Sequence, residues 1–149
     1  MSANSLRHQI PKAAKQAYQR ALKLSARTNA EGAVNELQKA IGLDPGFAAA
    51  HNNLGVQYAW LGRFPEAETQ FRRMIELMPE NPVGRANLAL VLIQIGSRDE
   101  AELNLRRAVQ VAPDDKKTHL LLGRLLWNNP DTREEGQRHL DWAGDSVVK

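Results

Sequence analysis

Histidine is the residue of this 149-residue chain best suited to acid–base chemistry or metal binding, and four histidines are present. His51 and His119 occupy equivalent places in a periodic pattern described below, so they recur because the pattern recurs. Neither has a second histidine at the spacing that one metal ion would need. We therefore expect both side chains to pack between helices, and the sequence predicts no metal site.

Adjacent identical carboxylates are the other candidates for acid–base work, and they occur as an Asp-Asp pair at 114–115 and a Glu-Glu pair at 134–135. We expect the first pair in a turn, and the second in the first turn of a helix, where negative charge suits the helix dipole. The chain has no glycine-rich phosphate loop, no Gly-x-Ser-x-Gly motif and no cysteine. The sequence therefore predicts a protein that is not an enzyme and has no cofactor.

The charge and hydropathy patterns bear on the class of partner. The formal net charge is +3, and lysine and arginine alternate along the chain with aspartate and glutamate. This mixture lacks the basic stripe that nucleic-acid binding requires, so no nucleic-acid partner is predicted. The most apolar run, 120–127, is far shorter than the roughly 20 residues that cross a bilayer, so no membrane insertion is predicted. The compartment stays open: cytoplasmic by default, or periplasmic or exported if the chain is excised from a longer bacterial protein.

A period of 34 residues organises the chain and points to tandem repeats. Prolines close successive apolar helical stretches at this interval, and alanine, leucine and glycine keep the same interval. The recurring sets are Pro45, Pro79 and Pro113; Ala33, Ala67 and Ala101; Leu54, Leu88 and Leu122; and Gly62 and Gly96. Such a period predicts helix–turn–helix units that bury their apolar faces only by stacking.

The best-formed unit carries a Leu-Gly pair, then a tyrosine, a glycine, an alanine, an aromatic residue and a closing proline. These are Leu54, Gly55, Tyr58, Gly62, Ala67, Phe71 and Pro79. This pattern resembles the tetratricopeptide repeat. The resemblance implies an all-α fold, a right-handed α-α superhelix of about four repeats. The expected parts are an N-terminal arm with the start of the first helix (1–13), three repeats (14–47, 48–81 and 82–115) and a degenerate repeat with a C-terminal cap (116–149).

Local signals refine these helices. Small residues within first helices (Gly55 and Gly123) predict close approach to a neighbouring helix, since glycine in a helix costs about 1 kcal/mol relative to alanine. Serine or threonine followed three residues later by glutamate predicts capping boxes at second-helix starts. These pairs are Thr28 with Glu31, Ser97 with Glu100, and Thr132 with Glu135. We expect Met1 to Gln9 to form a loose arm.

In tetratricopeptide proteins generally, partners bind along the concave face formed by the first helices. The equivalent positions here are unusually apolar for a solvent-facing surface, which indicates a partner site. Asparagine amides beside them could bind a partner's backbone. The resemblance thus implies a groove that binds a peptide or helix of a partner through Tyr18, Leu22, Asn52, Asn53, Val56, Asn87, Leu90, Ile93, Arg124 and Trp127.

Two further interpretations of these positions remain open. A shift of one residue in phase would place some of the apolar residues in the core. Alternatively, the chain is a structural or self-association module of a larger multidomain protein, an exported bacterial one among the options, and forms a homo-oligomer through the groove. The cation-rich clamp that some family members use for chaperone carboxyl termini is not expected, because Asn52, Val56 and Leu120 stand where most of its polar residues would be.

Overall fold

A computed structural model describes residues 8–145, and these contain eight α-helices and no strand. The helices are α1 (Lys12–Ala26), α2 (Ala30–Leu43), α3 (Ala48–Trp60), α4 (Phe64–Leu77), α5 (Pro82–Gln94), α6 (Arg98–Val111), α7 (Lys116–Trp127) and α8 (Arg133–Ala143). The predicted all-α class is confirmed. The arm before His8 and the cap after Asp145 lie outside the described residues. No helix within 8–145 is long and apolar enough to cross a membrane.

The chain forms two compact units, which meet at residues 73 and 74 within α4. In the first unit α1 packs on α2, and α2 packs on α3. Helix α1 buries an alanine stripe, Ala14, Ala17 and Ala21, while α2 buries Ala33, Val34, Leu37 and Ala40. These side chains bring the two helices close together and leave the other side of α1 to α3.

The second unit packs α5 on α6, α6 on α7 and α7 on α8. Its last two helices approach through glycine. A Cβ on Gly123 would lie 2.8 Å from Leu140 Cγ, and a Cβ on Gly136 would lie 2.7 Å from the backbone nitrogen of Trp127. In the first unit, a Cβ on Gly55 would lie 2.6 Å from the Phe71 ring. The predicted close approach at Gly55 and Gly123 is therefore confirmed.

The turns explain the periodic prolines and glycines. Helices α2, α4 and α6 end at Leu43, Leu77 and Val111, each two residues before a proline. The turns between α3 and α4 and between α5 and α6 each contain one residue with positive φ, and Gly62 (72°) and Gly96 (85°) supply it. The equivalent residue of the first pair is Thr28, at φ 59°. A β-branched residue there is strained, which glycine would avoid.

The predicted capping boxes are wrong at all three sites. Asn29, not Thr28, caps α2, and its side-chain oxygen accepts a hydrogen bond from the Gly32 amide at 2.9 Å. Ser97 and Thr132 do occupy N-cap positions, but neither side chain makes a cap hydrogen bond. The Thr132 hydroxyl instead donates to the Leu126 carbonyl at 2.9 Å, so it joins α8 to the end of α7.

His8, the first residue that the structure describes, is anchored by its side chain, while the part of the predicted arm before it lies outside the described residues. His8 Nε2 lies 2.7 Å from the Oδ2 of Asp44, a carboxylate only 4% exposed. The other oxygen of Asp44 accepts from the Gly46 amide at 3.1 Å. His8 therefore partners a buried carboxylate at the turn between α2 and α3.

Candidate functional site

The predicted groove residues of the first unit lie where α1 faces α3. Tyr18 and Leu22 project from the side of α1 that does not carry the buried alanines, and Asn53 and Val56 lie on α3. Leu22 is 44% exposed, whereas Tyr18, Asn53 and Val56 are half-buried. We call this surface, with Asn52, Gln57, Trp60 and Lys15, the α1–α3 face.

Two hydrogen bonds between side chains tie the α1–α3 face together. Asn53 Nδ2 donates to Tyr18 Oη at 2.7 Å, and Gln57 Nε2 donates to Ser25 Oγ at 2.9 Å. Burial raises the pKa of Tyr18, and the Asn53 hydrogen bond partly opposes this by lowering it. The Asn53 amide, predicted to bind a partner's backbone, thus already donates to Tyr18. Gln57, which sequence reasoning missed, is a second internal link.

The space between α1 and α3 is nearly filled. A cavity of about 10 Å³ remains between the helices, which is close to the volume of one water molecule. Its lining residues are Ala21, Leu22, Ser25, Leu37, Asn53 and Gln57. This cavity is too small to admit a side chain of another molecule.

Trp60, in the last turn of α3, is a residue that sequence reasoning missed. Its side chain is 80% exposed, the largest exposure among the exposed large hydrophobic side chains of residues 8–145. It follows Val56 by four residues and Asn53 by seven, so it continues their line along the helix. A large aromatic residue at these spacings from two predicted groove residues was the signal available in the sequence.

The predicted residues of the second unit have mixed environments. On α5, Asn87 is 9% exposed, Ile93 is half-buried and Leu90 is 40% exposed, while Leu88, Ala89, Val91 and Leu92 are buried. On α7, Arg124 is exposed and Trp127 is half-buried. Helices α5 and α7 contact each other. We call Asn87, Leu90, Ile93, Leu120, Arg124 and Trp127 the α5–α7 face.

Groups of the same chain already engage Arg124 and Trp127. Arg124 pairs with Asp145 at 2.9 Å, although both side chains are substantially exposed. The Arg133 guanidinium lies 5.4 Å from the centre of the Trp127 ring, and Arg133 Nε donates to the Trp127 carbonyl at 3.3 Å. Two of the predicted residues therefore have intramolecular partners.

The histidines have the structural role that the sequence predicts. His51 Nε2 lies 2.8 Å from the carbonyl of Pro45, and His119 Nε2 lies 2.8 Å from that of Pro113. Each donates to the turn that precedes its helix, so the repeated histidine ties a first helix to that turn. Within residues 8–145, no three potential ligand side chains form a metal site.

A second histidine contacts His119. The Nδ1 atoms of His119 and His139 are 2.8 Å apart, and Trp142 stacks on His119 with a centroid separation of 4.1 Å. Because neutral His119 donates through Nε2, its Nδ1 accepts, and His139 donates through its own Nδ1. Burial lowers the pKa of His139, and the positive charge that His119 can carry lowers it further.

Glu135, from the second predicted carboxylate pair, also has a structural role. Arg106 of α6 donates to both of its oxygens, at 2.5 and 2.9 Å. This contact lowers the pKa of Glu135 and raises that of Arg106. The carboxylate joins α6 to α8 and is thereby kept ionised, as a structural ion pair requires.

Solved structures with the same fold are tetratricopeptide proteins. MamA from Desulfovibrio magneticus RS-1 superposes with a TM-score of 0.78 at 23% identity, over 92% of this chain and 77% of that chain. YrrB, described as a TPR protein with an unusual peptide-binding site, gives 0.74 at 24% identity, over 90% and 69%. The first TPR of Spaghetti (RPAP3), bound to an HSP90 peptide, gives 0.73 at 16% identity, over 76% and 90%. At these identities the likeness shows the fold.

The protein family of the chain follows from matches to models of known families. No curated protein matches the sequence. Two models described as tetratricopeptide repeat match residues 18–82 and 61–125, and together they cover well over half of the chain. With eight helices in residues 8–145, this confirms the predicted family. The chain belongs to the tetratricopeptide repeat family.

Proposed function

We propose that this protein is a non-enzymatic scaffold that binds a peptide or helix of a partner protein on the faces of its first helices. The observation that carries the proposal is the exposure of Trp60, at 80%, in line with Val56 and Asn53. Tryptophan is the residue most enriched among those that dominate binding energy at interfaces. A soluble domain gains nothing in stability from a tryptophan so exposed, so a partner explains it better.

The binding surface consists, in this proposal, of the predicted residues together with Trp60. Tyr18, Leu22, Asn52, Asn53 and Val56 act in the first unit, and Asn87, Leu90, Ile93, Arg124 and Trp127 in the second. The hydrogen bonds from Asn53 to Tyr18 and from Gln57 to Ser25 fix these side chains before a partner arrives. Such preorganisation lowers the entropy lost on binding. The proposed repeats are 14–47, 48–81, 82–115 and 116–149, each with one first helix.

Proteins of the same fold support this kind of ligand. The structure of Spaghetti (RPAP3) contains an HSP90 peptide, and YrrB is described by its peptide-binding site. We propose that this chain also binds a peptide, but we do not propose that it binds the particular peptide of either protein. No cofactor, metal or nucleic acid is part of the proposed function.

The test begins with a phage-displayed library of random peptides, about twelve residues long, selected on the immobilised full chain. Calorimetry then compares the selected peptides on the native protein, on Trp60→Ala and on Leu103→Ala. Leu103 is a matched control, because it is 68% exposed but lies on α6, a second helix. We expect Trp60→Ala to weaken binding by at least about tenfold and Leu103→Ala to leave it unchanged. Equal binding by all three proteins would refute the proposal.

Self-association through the same faces is the second candidate, and exposed Leu90 together with Trp60 favours it. An apolar residue exposed in each unit could be covered by a second copy of the chain. Sedimentation across a wide concentration range tests this with the native protein and Trp60→Glu/Leu90→Glu. A native dimer that the double variant abolishes would support the self-association module, and a native monomer throughout would exclude it.

A further inference from the structure

The charges of this protein segregate by helix. Helices α1, α3, α5 and α7 carry eight lysines and arginines and not one aspartate or glutamate. All 17 carboxylates of the chain lie on the second helices or in connecting segments. The first helices are therefore positive or neutral throughout, and a negative partner would meet no like charge on them.

In the first unit this asymmetry is concentrated on α1. Lys15 precedes Tyr18 by three residues and Leu22 by seven, so it lies on the same side of the helix. Lys12 and Lys23 lie on the same helix, and all three lysines are exposed. No ion pair involves any of them within residues 8–145. By contrast, Arg20 is paired with Glu36 of α2 at 2.9 Å.

Helix α3 supplies the neutral half of the same surface. It has no charged residue, and it contributes Asn53, Gln57 and the exposed Trp60. An apolar anchor thus lies on the same face as unpaired cations. The lysines run from Lys12 to Lys23, which is about 16 Å along a helix. That length suits several side-chain carboxylates along a segment better than one terminal carboxylate.

We propose that the α1–α3 face binds an acidic peptide segment that also carries an apolar side chain, with Lys15 and its neighbours meeting the carboxylates and Trp60 contacting the apolar residue. This inference rests on the proposed function and names the chemistry of its partner. A protein segment fits better than nucleic acid, since the face has one exposed aromatic residue and lacks arginine that is free of an ion pair. The apolar contact supplies burial, and the charges supply selectivity and speed of association.

The test uses three dye-labelled synthetic peptides of about twelve residues that share one leucine and one phenylalanine. Four other positions hold glutamate, glutamine or lysine, and all three peptides have amidated C-termini. Fluorescence anisotropy measures binding to the full chain at about 50 mM and about 500 mM NaCl. We expect affinity to fall from the glutamate to the glutamine to the lysine peptide. We also expect the glutamate peptide to lose at least about fivefold in affinity at the higher salt.

Charge variants locate the effect. Lys15→Glu should lower the affinity for the glutamate peptide by about fivefold and leave the affinity for the glutamine peptide unchanged. Lys15→Gln should have about half that effect on a logarithmic scale. The matched control is Lys39→Glu, the same charge change at an exposed residue of α2, which should alter neither affinity by more than about twofold. Circular dichroism verifies that each variant is folded.

Each outcome has a distinct meaning. If the glutamate and glutamine peptides bind equally, or if Lys39→Glu acts as strongly as Lys15→Glu, the acidic preference is wrong while the proposed function stands. If none of the three peptides binds, the acidic preference is refuted, and the peptides selected from the random library decide whether the proposed function stands. If an oligo(dT) strand of the same length binds as tightly as the glutamate peptide and depends equally on Lys15, the surface recognises polyanions and the peptide proposal is refuted.

Discussion

The α1–α3 face of the first unit and the α5–α7 face of the second occupy equivalent places in the repeat, yet their chemistry differs. On the α1–α3 face Trp60 is exposed and the lysines of α1 have no ion-pair partner within residues 8–145. On the α5–α7 face Asp145 neutralises Arg124, and Arg133 covers Trp127. The repeat therefore fixes where a side chain lies, while neighbours outside the repeat pattern decide whether it can meet a partner.

The same contrast holds for the packing beneath the two faces. Alanines line the contact between α1 and α2, whereas glycines line the contact between α7 and α8 at Gly123 and Gly136.

The largest effect is expected from Gly136→Ala in the second unit. The new methyl group would lie 2.7 Å from the Trp127 nitrogen and 2.8 Å from the Gly123 carbonyl oxygen. Both are backbone atoms that cannot move aside, so the helices must separate, and we expect a loss of about 3 kcal/mol in the free energy of unfolding. Urea denaturation measures it. Gly42→Ala is the control, because nothing lies within 4 Å of a Cβ there, and it should stabilise slightly.

Thr28→Gly should stabilise the first unit by about 1 kcal/mol, because it removes the backbone strain of a β-branched residue at φ 59°. Gly62 lies at the equivalent turn, at φ 72°, and Gly62→Ala should destabilise by a similar amount. Denaturation of both variants checks the pair. If Thr28→Gly lowers stability, the hydroxyl's contact with the Arg27 carbonyl outweighs the strain.

The second unit should lose stability in acid, by less than the preceding substitutions change it. Burial and then His119 lower the pKa of His139, while Glu135 opposes them and Arg106 adds to them. Because the folded-state pKa lies below the ordinary value near 6.5, the unfolded chain binds the proton more readily. The contribution of neutral His139 to stability is therefore present above about pH 6.5, and it is lost as the pH falls towards the folded-state pKa.

Hydrogen exchange of α8 amides, corrected for intrinsic rates, measures this loss between about pH 7.5 and about pH 5.5. We expect protection to decrease in acid in the native protein and to change less in His139→Gln. The amides of α2 in the same samples serve as the reference. An unchanged pH response in His139→Gln would show that another group is responsible.

The smallest effect is expected from Asp145→Asn. The ion pair with Arg124 is exposed, so its loss should change the free energy of unfolding by less than about 0.5 kcal/mol. Because the glutamate peptide binds the α1–α3 face, we expect its affinity to change by less than about twofold. Urea denaturation measures the stability, and anisotropy measures the affinity. A larger rise in affinity would mean that the freed Arg124 guanidinium contributes to binding and that the α5–α7 face is part of the site.

Much of the fold could be predicted from sequence, because the periodic prolines and glycines restrict the backbone conformation at the turns between helices. The prolines at 45, 79 and 113 mark helix ends two residues earlier, and Gly62 and Gly96 mark the positive φ of the turns. The capping box at Thr28 failed because Thr28 and Asn29 are both good N-caps, and only the backbone decides between them. At Ser97 and Thr132 the N-cap position was right, but neither side chain makes the cap hydrogen bond.

The candidate site could be predicted only in part, because exposure and pairing are tertiary properties. Position in the repeat does not show that Asn53 donates to Tyr18, or that Asp145 lies beside Arg124. The segregation of charge was present in the sequence. Because basic and acidic residues are interleaved along much of the chain, this segregation could be recognised only after the bounds of the helices were known.

One measurement tests the central claim that the acidic segment binds the α1–α3 face. The chain has three tryptophans, so its indole signals in a ¹H–¹⁵N spectrum report separately on Trp60, Trp127 and Trp142. Titration with the glutamate peptide should shift the Trp60 signal, which Trp60→Ala identifies, and leave the other two nearly unchanged. A shift of the Trp127 signal with Trp60 unmoved would contradict this account and place the binding surface on the α5–α7 face.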